Sequence, residues 1–311
     1  MLSRVADSLY WINRYLERAE NISRFLEVSE AMALDCPPGS AEPWLPLVEV
    51  TGDRHRFDTT YPDATPKQVV RFLLLDRSNP NSIVSCIAMA RENARQIRDV
   101  ITTEMWEQIN DLHWSLQDDE DIWREQVQEQ LRIIRRGCQL VYGITDTTLS
   151  RDLSWLFSQL GRLIERADKT SRILDVKYYV LLPSLSYVGS SLDNVQWETI
   201  LRSVSAYRAF RWLNPGETNP RNIAQFMILD QVMPRSLSFC ASRMASALEA
   251  IAREYGGAGD SLHQAAGLSQ ELANTNIDMI VDNGLHQFIQ DFIKRNNSIS
   301  AQIEQEFRFY H

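Results

Sequence analysis

Residues 10–28, "YWINRYLERAENISRFLEV", and residues 158–176, "SQLGRLIERADKTSRILDV", carry nearly the same message twice. Setting residues 14–28 against 162–176 aligns fifteen positions without a gap, and eight are identical. These are Arg14/Arg162, Glu17/Glu165, Arg18/Arg166, Ala19/Ala167, Ser23/Ser171, Arg24/Arg172, Leu26/Leu174 and Val28/Val176. Unrelated segments of ordinary composition would share about one. A second block follows in the same order, "TPKQVVRFLLLDRSNPNSIVSC" from Thr65 against "NPRNIAQFMILDQVMPRSLSFC" from Asn219, with Pro66/Pro220, Asp76/Asp230, Pro80/Pro234, Ser82/Ser236 and Cys86/Cys240 among the identities. Two ordered matches predict a tandem duplication, with an N-terminal half at 1–147 and a C-terminal half at 148–311 packed about a pseudo-twofold axis. The polar seam "DTTLSRD" is too short for a free linker, so the expectation is one integrated unit rather than two beads.

Hydrophobic period decides the fold class. In the first block Ile12, Tyr15, Leu16, Ala19, Ile22 and Leu26 recur at three- and four-residue spacing, as do Leu160, Leu163, Ile164, Ala167 and Leu174 in the second. Thr65-Pro66 and Asn219-Pro220 each place a capping side chain before a proline, which marks a helix start. Pro80 and Pro234 are expected to open the next helix in each half. Residues 120–142 and 277–307 read as further long amphipathic helices. Only "WLPLVEVTG" alternates like a short strand, and "DRHRFDTTYPDATP" after it reads as a loop. The expected class is therefore an all-α helical bundle.

Of 311 residues, 44% are hydrophobic and 23% charged, as in ordinary globular chains. Lys and Arg number 32 against 41 Asp and Glu, and the resulting net charge of -9 disfavours nucleic acid as a partner. Arg4 and Asp7 interrupt what a signal peptide would need to keep apolar, and no run approaches a membrane span, so a cytoplasmic location without membrane insertion is expected. Cys36, Cys86, Cys138 and Cys240 form no C-x-x-C pair and read as buried thiols, and the tryptophans Trp11, Trp106, Trp114, Trp155 and Trp197 as packing residues.

At 100° per residue, Arg14, Glu17, Arg18, Asn21 and Arg24 share the helix face opposite the apolar one, and Arg162, Glu165, Arg166, Lys169 and Arg172 repeat it. A solvated face would explain such a stripe, each contact contributing a few tenths of a kcal/mol. Against that, the stripe kept its Arg, Glu, Arg and Arg while the apolar positions Tyr15/Leu163, Ile22/Thr170 and Phe25/Ile173 drifted, and exposed faces ordinarily drift faster. Guanidinium forks bind carboxylates bidentately, so the stripe can lock helices together or present an anion site. Glu17 and Glu165 are the candidate catalytic carboxylates, and Arg14, Arg18, Arg24, Arg162, Arg166 and Arg172 the candidate binding cations. Arg91 and Arg95, with Arg98, form a second stripe in "MARENARQIRD" that could bind an acidic ligand or simply pair with Glu92 and Asp99. None of the five histidines follows a Glu at the Glu-x-x-His spacing, and H-E-x-x-H, the Walker loop, G-x-G-x-x-G and G-x-S-x-G are absent, so neither metal nor cofactor is expected. "YGGAGDSLHQAAG" reads as an interhelical turn, with a weaker option of capping an anion at the helix that follows.

Taken together, "YLERAEN", "LIERADKTSRILDVKYY", "ARENARQIRD" and "AAGLSQELANTNIDMI" resemble the Alpha-E family of bacterial helical proteins, over nearly the whole chain. The resemblance places the motif at Glu17, Arg18, Glu165 and Arg166. It implies an uncharacterised helical component encoded beside, or fused to, a circularly permuted ATP-grasp ligase-like protein, in systems proposed to make or process small peptides. On that basis the expected role is an accessory partner of a peptide or amide ligase, its Glu-Arg faces forming a polar site or docking surface, with a small acidic or peptide ligand as a further partner. The alternative is an enzyme component assisting amide-bond formation, with Glu17 or Glu165 as base.

Overall fold

Hydroxyl and amide caps set several of the helix starts. Thr65 accepts a hydrogen bond from the Gln68 amide and Asn219 one from the Asn222 amide, each with proline at the first helical position. After Pro80 and Pro234 the next helices open at Ile83 and Leu237, three residues later than the prolines suggest, because Ser82 and Ser236 take the cap positions and accept from the amides of Ser85 and Phe239. A computed structural model describes residues 1–35, 44–116, 126–180, 191–214, 218–257 and 259–309. Among them run α1 (Ser3–Asp35), α2 (Trp44–Thr51), α3 (Arg54–Thr60), α4 (Pro66–Leu74), α5 (Ile83–Gln96), α6 (Thr103–Trp114), α7 (Val127–Thr148) and α8 (Leu153–Val180). There follow α9 (Ser191–Ser203), α10 (Tyr207–Leu213), α11 (Pro220–Leu229), α12 (Leu237–Tyr255), α13 (Asp260–Asn274), α14 (Ile277–Asn283) and α15 (Leu285–Glu306). The described residues contain no strand.

Among the described residues, the long helices α1 and α8 pack against each other more extensively than any other pair. Around this pair, α5 and α7 pack on α1, and α12 and α15 pack on α8. The middle of helix α1 is consequently buried on its polar as well as its apolar side: Leu9, Ile12, Leu16, Ala19 and Ile22 are solvent-free, and so is Glu17. The α1–α8 crossing is tight at Gly161, where a Cβ atom would lie 2.0 Å from the Tyr10 carbonyl oxygen. Only glycine admits that approach of backbone to backbone.

Several expectations from sequence are corrected. The stretch "WLPLVEVTG" is helical as α2, because Trp44, Leu47, Val48 and Thr51 lie at helical spacing and all four are buried. The loop-like segment after it contains α3, seated by the buried Phe57. The long helix expected over 277–307 breaks into α14 and α15 at Gly284, whose φ of +95° interrupts the spiral. Trp114 is 56% exposed rather than buried. The helix expected over 120–142 is described from Val127, its first residues and Cys36 lying outside the described residues. No described helix is long and apolar enough to cross a membrane.

Candidate functional site

The stripes of α1 and α8 do not face water. They meet in the α1–α8 interface, where each glutamate is gripped by an arginine of the other helix. Arg18 donates to Glu165 from Nε (2.7 Å) and Nη2 (2.9 Å), and Arg166 donates to Glu17 from Nε (3.0 Å) and Nη2 (2.8 Å). Both glutamates are solvent-free. Two buried carboxylates would be costly if unpaired, but the bidentate forks satisfy both oxygens of each.

Each glutamate has further donors. Arg14 Nε reaches Glu165 at 3.1 Å, with Lys169 Nζ 3.6 Å away. Glu17 accepts from Arg235 Nη1 at 3.0 Å and from Asn21 at 3.3 Å. Arg235 also donates to Asn21 (2.8 Å) and to Glu20 (3.2 Å), while Arg18 donates to Asn81 (2.6 Å), which in turn donates to Asp53 (2.8 Å). The sequence blocks align Asn21 with Lys169 and Asn81 with Arg235. One glutamate therefore has the cation in the downstream block and asparagine on its own helix, and the other has the reverse. Burial acting alone would raise the Glu17 carboxyl, but the guanidiniums of Arg166 and Arg235 overcome it and hold the group at about 2. Glu165 is likewise burdened by burial yet held well below the usual carboxylate range by Arg18 and Lys169.

A second tier lies one turn further along. Arg24 pairs with Glu20 at 2.5 Å and also reaches Ser205, and Arg172 pairs with Asp168 at 2.9 Å. Arg162 lies differently: its Nη2 donates to Gln159 at 2.5 Å, and the nearest carboxylate, Asp146, is 3.9 Å away. Burial and the neighbouring Arg166 lower its pKa. The other stripe stands apart from this layer. Arg91 donates to Asn110 (2.8 Å) and stacks on Trp106 and Trp114, and Arg95 forms a surface pair with Glu92 (2.6 Å). The "GAGDSLHQA" turn does meet an anion at its helix, but one from the chain itself: the Ser261 amide donates to the Glu306 carboxylate at 2.8 Å. The Cys86 and Cys240 thiols are buried beside this layer and pushed up to about 12 by that burial.

A family model described as "a predicted alpha-helical domain with a conserved ER motif" matches residues 1–307, a span that contains both Glu-Arg dipeptides, 17–18 and 165–166. The chain belongs to the Alpha-E family. An uncharacterized protein of Mycobacterium bovis is 23% identical to this Alpha-E chain over 271 residues, covering 79% of the chain and 29% of the relative. An uncharacterized protein of Mycobacterium tuberculosis is 22% identical over the same length and shares. The chain thus spans under a third of the length of these curated relatives. No solved structure matches it.

Sequence reasoning missed Arg235, the most central cation of the Glu17 cluster, and Asn81. Both occupy a position where the two blocks differ, and a comparison built on identities passes over it. The signal was the reciprocal pair of differences, Asn21/Lys169 together with Asn81/Arg235.

Proposed function

We propose that this Alpha-E chain is a non-catalytic helical partner of an ATP-grasp-type peptide or amide ligase, built from two duplicated halves that are locked by the crossed Glu-Arg pairs. The observation that carries the non-catalytic part is the state of the two motif carboxylates. Glu17 and Glu165 are solvent-free, and each has both oxygens occupied by a guanidinium. A general base must reach a substrate proton and have a pKa near the working pH. A sealed carboxylate held at about 2 meets neither requirement. The motif therefore acts as an internal lock, not as an exposed docking face.

The duplication is supported by the reciprocity of Arg18–Glu165 and Arg166–Glu17, by the matched caps, and by the Cys86 and Cys240 thiols. Those thiols lie 3.8 and 3.7 Å from the carbonyls of Pro80 and Pro234. The partnership is supported by the family resemblance and by the length of the curated relatives, in which a segment of this kind is joined to much additional sequence.

Two measurements test the proposal. Calorimetry of the isolated chain with Mg-ATP should give no heat of binding, and co-expression with a circularly permuted ATP-grasp ligase-like protein from the same genome should yield a complex that survives gel filtration. Independent elution of the two proteins, or tight ATP binding by this chain alone, would overturn it.

A further inference from the structure

Arg14 and Arg162 hold matched places in the sequence blocks, but their surroundings differ. Arg14 is fully engaged, by Glu165 at 3.1 Å, Ser300 at 2.9 Å and Glu304 at 3.6 Å. On the other side, Arg235 takes the place beside Glu17, and Arg162 is left without a close carboxylate. Its Nε is buried and has no hydrogen-bond partner. A buried guanidinium N–H without an acceptor is a costly vacancy that an incoming oxygen relieves.

Arg162 lies on the wall of a cleft of about 500 Å³ between α8 and α12, together with Arg166, Arg243, Trp155, Leu163 and Phe239. That volume falls within the range of small-molecule sites, which combine apolar walls with a few placed polar groups. Arg243 is exposed, lies over the Phe239 ring at 5.3 Å and makes no ion pair among the described residues. The cleft carries an excess of positive charge: Arg166 is neutralised by Glu17, Asp146 is shared between Arg151 at 3.6 Å and Arg162 at 3.9 Å, and Arg243 has no carboxylate partner among the described residues. An excess of guanidinium suits an anion, and its planar fork suits a carboxylate.

We infer that this cleft binds a small monocarboxylate with an apolar or aromatic body, the carboxylate accepting from Arg162 and Arg243 and the body lying against Trp155 and Phe239. The inference does not depend on a ligase partner, since every group in it belongs to this chain. It also explains why the two halves differ here: the Asn81/Arg235 difference frees one arginine for a ligand while keeping Glu17 paired.

Titration of the full chain with N-acetyl-L-phenylalanine, its carboxamide and inorganic phosphate, followed by calorimetry, tests it. The acid should bind saturably and at least about tenfold more tightly than the carboxamide or phosphate. Arg162→Gln should weaken binding of the acid at least about tenfold, and Arg243→Gln should weaken it less. Arg162→Gln gives up the bond to Gln159 and the contact with the Tyr142 ring at 5.0 Å but no ion pair closer than 3.9 Å, so the protein should keep its helical circular dichroism. The surface variant Arg243→Gln supplies a second readout independent of folding. No saturable binding of the acid, equal binding of the carboxamide or phosphate, or undiminished binding by both variants would overturn the inference.

Discussion

Placing lysine at position 21 should damage the native protein and repair one of its mutants. In the native chain Asn21 lies 2.8 Å from Arg235, so Asn21→Lys sets two buried cations against each other beside Glu17 and should destabilise by about 2 kcal/mol or more. Arg235→Asn removes a donor 3.0 Å from the same carboxylate and should cost about 3 to 5 kcal/mol. Combining the two gives Glu17 the lysine that Glu165 already has, on the same helix and 3.6 Å from the carboxylate, with asparagine at the downstream position as at Asn81; Glu165 has Arg14 in addition. At that distance the attraction is about 4 to 5 kcal/mol for an effective dielectric constant of about 20. Desolvating and ordering the lysine offsets roughly half of this, so lysine should recover about 2 kcal/mol in the Arg235→Asn background. The same substitution thus changes sign, and the coupling energy is about 4 kcal/mol. Urea midpoints of the four proteins, compared at equal slope, measure it directly. If lysine at position 21 lowers the midpoint equally with and without Arg235, the two clusters are not interchangeable and the reasoning fails.

Two further outcomes follow from the same layer. The Glu17 pKa is depressed from 4.5 to about 2, so its stabilising contribution, about 3 kcal/mol, is complete above pH 4.5 and disappears as the pH falls to about 2; Glu17→Gln should flatten that part of the stability profile, read from urea unfolding at a series of pH values. Gly161→Ala should cost about 3 kcal/mol because its methyl group meets the Tyr10 carbonyl, whereas Gly143→Ala, in a helix with open space around it, should stabilise by about 0.5 to 1 kcal/mol, both being read from thermal melts.

Helix class and several boundaries were legible because they rest on local chemistry. Thr65 and Asn219 announce their helices through side chains that any reader of caps would recognise, and the period of Ile12, Leu16, Ala19 and Ile22 declares a buried face. The polar side of α1 was harder, since a face carrying Arg14, Glu17, Arg18 and Arg24 looks the same whether it meets water or a matching helix. Only the drift of Tyr15/Leu163 and Ile22/Thr170 beside an unchanged Glu-Arg pair hinted at burial. Helix α2 was misread because Pro46, Val48 and Val50 disfavour a helix locally, and packing of Trp44 and Leu47 overrides that preference. The cleft was illegible for a different reason. It depends on which carboxylate Arg162 fails to reach, and Arg235, some seventy residues away in sequence, determines that.

The contact between Gly161 and Tyr10 also bears on register. Two helices whose backbones meet this closely cannot slide past one another there, so the contact fixes the alignment of α1 along α8. That alignment is what sets Arg18 opposite Glu165 and Arg166 opposite Glu17. A slip of one helical turn, about 5.4 Å, would part both carboxylates from their guanidinium forks. One missing side chain thus stands behind both crossed pairs.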